Sequence, residues 1–337
     1  MNSPASHVGE LEKRGLNPNS FVRTLVGDIP ADESLGVCAA HEHVVITGPW
    51  IRTHFPEFEL HDLERILIDL QEFRRVGGGW IVDSMPTGAG RDAALLAEVS
   101  RMSGVPIICP TGVHQAKYYP PDHALCFLNR DQLVQMFRRE ITVGINDGVG
   151  TLALRAGVIK VASNGPQLSE RDREIFSAAA IVQQELGCPI LTHTEASHDA
   201  HEQLVCLSEH GANLEQVVLS HCDKNIDLIY LRDLLQSGVN LEFDQHFRQL
   251  RRGEPCASVD LIVKLIGEFP SQLLVGMDLA RQCYWKGFGG SPGLAWLVTD
   301  VVPRLRTAGL SDVQLNRLLV TNPIHTYSFC PTGHTQT

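Results

Sequence analysis

The chain has no run of about 18 consecutive apolar residues, so no membrane-spanning helix is expected. No basic run or stripe occurs, and a formal net charge of −11 argues against nucleic acid as a partner. The nine cysteines, an odd number, form no C-x-x-C pair and no disulfide-like rhythm, which suits a reducing cytosol better than secretion. The opening "MNSPASHVGELEKRG" lacks a basic segment followed by an apolar one, so no signal peptide is expected. Phosphate-binding fingerprints are missing: "GAGRDA" lacks the third glycine, and no G-x-x-x-x-G-K-[ST] is found. No repeat, low-complexity segment or linker divides the chain. The expectation is a cytoplasmic soluble globular protein, 43% apolar and 20% charged.

Two average domains would fit in 337 residues, but α/β barrels of this length are routinely one. Short β-leaning apolar runs recur at 36–46, 80–84, 106–110, 157–162, 189–194, 217–221, 239–243 and 273–278. Helical patterns lie between them, such as "DLERILIDLQEFRRVG", "DREIFSAAAIVQQELG" and "SVDLIVKLIGEF". Eight buried-type strands, each followed by a crossover, imply an α/β fold, a closed (β/α)8 TIM barrel occupying 1–337 as one domain. A doubly wound open sheet is the alternative. Residues 1–22 read as a flexible or wrapping arm, and 331–337 as a flexible tail.

The first run, "GVCAAHEHVVI", carries His41 and His43 one residue apart. Side chains alternate faces along a strand, so the two imidazoles point one way and Glu42 the other. Half a metal site is the functional reading. The zincin motif is absent, because Val45 stands where its second histidine would be. The fourth run buries Lys160 among apolar neighbours, and a bare ammonium there needs an ion pair or neutralisation. Carboxylation by CO2 is one remedy, giving a carbamate able to bridge two metals. Later runs end at His193 in "ILTHTEAS", His221 in "VVLSHCDKN" and Asp278 in "LLVGMD". Singly each has a bland explanation. Jointly, most sit near strand C-terminal ends, where barrel active sites are built.

These stretches, with "GGGWIVDSMPTGAGRD" and "PTGVHQAKYYP", resemble the phosphotriesterase family of the amidohydrolase superfamily over residues 25–329. The resemblance implies an amidohydrolase-type barrel with a binuclear divalent metal centre: zinc first, manganese or cobalt as alternatives. His41, His43 and Asp278 would hold the buried ion, His193 and His221 the exposed one, and carboxylated Lys160 would bridge both. Two cations sharing a hydroxide make a nucleophile near neutral pH, and Asp278 would pass its proton to the leaving oxygen.

Beyond Asp278, "DLARQCYWKGFGGSPGLAW" is similar to the branch that hydrolyses lactones of phosphorylated sugars. There, residues at the positions of Arg281 and Tyr284 hold the substrate phosphate, together with a lysine after strand seven. This chain departs at the lysine. "LEFDQHF" is followed by Arg248, Arg251 and Arg252, of which Arg248 is the candidate third cation. His246 replaces a small residue and is expected to crowd the pocket. Tyr118 and Tyr119 are wall or substrate contact, and Gly289, Gly290 and Pro292 shape the last loop. The reading is a metal-dependent lactonase on a small anionic, phosphorylated substrate, as a monomer or homo-oligomer. Alternatives are the same centre acting on an acyl-homoserine lactone, a phosphotriester or an N-acyl amide, and a barrel that binds metal without catalysis.

Overall fold

Eight strand positions close the barrel in the computed structural model, which describes residues 19–147, 152–195 and 199–329. Two short strands precede them, β1 (Phe21–Thr24) and β2 (Gly27–Pro30). The barrel begins with β3 (Val37–Glu42), β4 (Gly78–Asp83) and β5 (Ile107–Ile108), which form one parallel arc. The second arc runs β6 (Pro110–Val113), β7 (Val158–Ala162), β8 (Ile190–His193), β9 (Val217–Ser220), β10 (Asn240–Phe243) and β11 (Leu273–Val275). β5 and β6 are one barrel strand interrupted at Cys109. At the other seam the His41 carbonyl accepts the Met277 and Asp278 N–H groups at 3.2 and 2.9 Å, joining the end of β11 to β3. All eight runs read from the sequence are therefore strands, because each is apolar enough to be buried on both faces.

The crossover helices form where caps and periodicity agree. Asp62 caps Leu63–Arg75, whose buried Ile66, Leu70 and Phe73 recur at three- and four-residue spacing. Ser169 opens Glu170–Leu186 with a capping box, and Gly187 ends it in the left-handed conformation at φ 62°. No helix among the described residues is long and apolar enough to cross a membrane, and the eight described cysteines are free.

The arm expected over 1–22 needs correction where it is described. Phe21 and Val22 belong to β1, which pairs with β2 and with the C-terminal β12 (Ser328–Phe329) in a three-stranded antiparallel sheet. Val22 is buried, and Phe21 stacks on Phe329 with ring centres 5.1 Å apart. Leu25 N–H donates to the Ile107 carbonyl at 2.9 Å, which fastens this sheet to the N-terminal end of the barrel, opposite the site. Residues 1–18 and the tail over 331–337 lie outside the described residues.

Candidate metal centre

His41, His43, His193, His221 and Asp278 line one cavity of about 380 Å³, at the C-terminal ends of the strands. Two groups of nitrogens converge in it. His43 Nε2 lies 3.2 Å and His41 Nε2 3.9 Å from Asp278 Oδ1. Across the cavity, His193 Nδ1 and His221 Nε2 are 2.9 Å apart.

The outer partners of these rings decide which atoms remain free. His41 Nδ1 donates to Glu242 Oε2 at 2.7 Å, leaving Nε2 as the lone pair. Glu195 Oε1 accepts the His193 Nε2 proton at 3.0 Å, so Nδ1 is the free atom there. That hydrogen bond, with one from Gln115, brings the Glu195 carboxyl down to about 2 despite partial burial. His221 Nδ1 sits 2.7 Å from Asp244 Oδ2 without the geometry of a hydrogen bond. Burial lowers the pKa of His41, His193 and His221, so these rings are neutral. Between two neutral rings His221 Nε2 can donate to His193 Nδ1 across 2.9 Å, and a cation placed there would instead take a lone pair from each. The donor set fits a metal. His41, His43 and Asp278 form one group of ligand atoms within 4.8 Å of each other, and His221, Asp244 and Asp278 form another.

Lys160, within β7 and 1% exposed, is not among the residues that line the cavity; its Nζ donates to the Thr192 carbonyl at 3.3 Å. Burial lowers its pKa to about 8, against the pull of Glu242, Asp278 and Asp244. An amine so depressed is a neutral nucleophile for part of the time near pH 7.

Sequence reasoning passed over several residues. Glu42, the middle of His-Glu-His, is fully buried and accepts the Met277 and Leu279 N–H groups at 2.9 and 3.2 Å. It grips the chain on either side of Asp278. Glu242 and Asp244 on and after β10 orient His41 and His221; the only signal was two acids spaced by two in "LEFD". Asp69, buried on the helix Leu63–Arg75, accepts the Lys286, Gly287 and Leu294 N–H groups at 3.2, 2.9 and 3.3 Å. It ties down the loop that continues from Arg281 and Tyr284.

Arg281 and Tyr284 both line the cavity. Arg281 is 44% exposed, lies over the Phe58 ring at 4.8 Å and stands 3.6 Å from Glu57. Arg248 lines the cavity too, but its Nη2 is 2.9 Å from Asp278 Oδ2 and also donates to the Asp278 carbonyl. Burial would raise the Asp278 carboxyl, but Arg248 and the bond to His43 outweigh it and hold it well below the usual carboxylate range. His246 does not crowd the pocket: it is fully buried, with Nε2 3.2 Å from the Phe243 carbonyl. Tyr118 lines the cavity, whereas Tyr119 is wall, its hydroxyl bonded to Thr87 and His114 backbone atoms. Gly289 has φ 81°, and a Cβ on Gly290 would lie 2.3 Å from the Cys283 carbonyl carbon, so both shape the loop.

A closed parallel barrel that gathers four histidines and an aspartate at its strand ends, with a lysine buried inside one strand, defines the class of barrel metallohydrolases. Residues 21–327 match the model of the phosphotriesterase family, and the chain belongs to that family. Among curated relatives, a phospho-furanose lactonase of Mycoplasmopsis agalactiae is 28% identical, over 92% of each chain. The human N-acetyltaurine hydrolase is 28% identical over 81% of each. Among solved structures, a lactonase from Listeria monocytogenes superposes with a TM-score of 0.85 at 27% identity, covering 92% of this chain and all of that one.

Proposed function

We propose that the protein is a metal-dependent lactonase that opens a small anionic lactone, a phosphorylated sugar lactone being the best fit. The observation that carries this reading is Arg281, with Tyr284 beside it, on the wall of the cavity next to the His/Asp cluster. The lactonases among the relatives and solved structures support it. His41, His43 and Asp278 would hold one divalent ion and His193 and His221 the other, with carboxylated Lys160 as a further ligand. Zinc suits this histidine and carboxylate set, as do manganese and cobalt. When bound, the ions supply a nucleophile from water near neutral pH and polarise the carbonyl. The chain's own residues do the rest. Asp278 accepts the proton of the attacking water and returns it to the leaving oxygen, Arg248 orients that carboxylate, and Arg281 and Tyr284 anchor the anionic end.

A charge-assisted hydrogen bond to phosphate contributes about 1.5–3 kcal/mol, so losing one costs roughly 10- to 150-fold. Arg281→Met keeps much of the bulk and deletes the cation. It should lower kcat/KM on a phosphorylated lactone by that factor and leave an unphosphorylated lactone nearly unchanged. Equal losses on both would assign Arg281 to loop support and favour the second reading, an N-acyl amide hydrolase, which the N-acetyltaurine hydrolase relative supports.

A further inference from the structure

His114 directly follows β6 and takes no part in the metal cluster, yet it lines the same cavity. Its ring centre is 5.6 Å from that of His193, and the residue is only 6% exposed. Two contacts fix the ring and a third its backbone. Nδ1 accepts the Gln115 backbone N–H at 2.7 Å, and the Tyr118 ring stands edge-on at 4.6 Å. The residue's own N–H donates to the Tyr119 hydroxyl at 2.8 Å. A neutral imidazole whose Nδ1 accepts carries its proton on Nε2. Among the described residues no protein acceptor is paired with that proton. The residue lines the cavity, so a bound ligand can supply the missing acceptor.

We propose that His114 donates its Nε2–H to the carbonyl oxygen of the bound substrate. No proton is transferred: the contact strengthens as negative charge grows on that oxygen and relaxes when the carbonyl re-forms. The inference rests on the hydrolase reading above and assigns His114 a role separate from Asp278, which handles the proton.

Two substitutions separate the two edges of the ring. His114→Asn keeps an acceptor where Nδ1 meets Gln115 but has no donor at the reach of Nε2. His114→Gln extends an amide N–H to that reach. Removing one such donor costs about 10²-fold in kcat. The Asn variant should show that loss with KM within a few-fold of wild type and metal content unchanged, while the Gln variant recovers at least a tenfold share. Side-chain 15N spectra of the metal-loaded wild type should show His114 protonated on Nε2 and bare on Nδ1. An active wild type with an unimpaired Asn variant overturns the proposal. So does a proton found on Nδ1, or metal lost from the Asn variant. A metal-loaded wild type inactive on every lactone, ester and amide would overturn the hydrolase reading as well, which separates the two failures.

Discussion

Asp278 has φ 48° and His221 φ 62°, left-handed conformations that non-glycine residues adopt only when their surroundings enforce them. For Asp278 the enforcement is visible. Its N–H goes to the His41 carbonyl, while Glu42 takes the N–H groups on both sides and Arg248 takes its carbonyl and carboxylate. The His221 N–H goes to Asp244 at 3.1 Å. If Asp278 moves the proton, Asp278→Asn should lower kcat by about 10² or more, and metal analysis should accompany the rates. Unchanged metal content with kcat barely moved would place the proton shuttle elsewhere. At this scale the sequence exposed the inward-facing histidines, because imidazoles in a β-leaning apolar run are chemically conspicuous. Glu42, Glu242, Asp244 and His114 were not legible as site residues. Their roles depend on partners far away in the chain: Glu42 meets Met277, and Glu242 meets His41. Arg248 read as a free cation, and only the fold brings it to Asp278.

Elements are joined at the site end by buried ion pairs. Arg91, in the loop after β4, has a fully buried side chain that bonds Glu140 at 2.8 and 2.9 Å, Asp147, and the Pro110 carbonyl at 2.7 Å. It thereby links the second barrel loop to the helix Arg130–Thr142 and to the start of β6. Burial alone would raise the Glu140 carboxyl, but the Arg91 hydrogen bonds and charge prevail and lower it below 4.5. A depressed folded pKa stabilises above the unfolded value and is lost as pH falls through the folded one. Arg91→Met should cost about 3–5 kcal/mol at pH 7 in denaturant unfolding, the scale for breaking a buried pair. In the variant Glu140 is buried without its partner, so its protonation relieves the penalty, and the gap from wild type should narrow as pH falls towards 4.5. A gap that stays constant would mean that Arg91 acts through shape. The eight barrel strands were legible from apolar runs and the helices from caps. The β1–β2–β12 sheet was not, since Phe21–Thr24 is a strand only because Ser328 and Phe329 come to pair with it.

The whole molecule places its fastening sheet at one end of the barrel and its cavity at the other, and the six proposed ligands come from five of the eight barrel positions or their ends. Apart from His41 and His43, the residues are far apart in sequence, so the folded barrel sets their spacing and bound ions would act as cross-links between strands. Ions that bind the folded chain only should stabilise it by about 4 kcal/mol at a free concentration 1,000 times Kd, so chelation should lower Tm along with activity. The most direct test of the binuclear centre is the metal content of the purified, metal-replete protein set against its activity, before and after His41→Ala. About two divalent ions per chain are expected, with chelation removing them together with hydrolysis and His41→Ala losing both metal and rate. A chain that holds no divalent ion, or a His41→Ala variant that keeps one ion and full activity, would contradict the account.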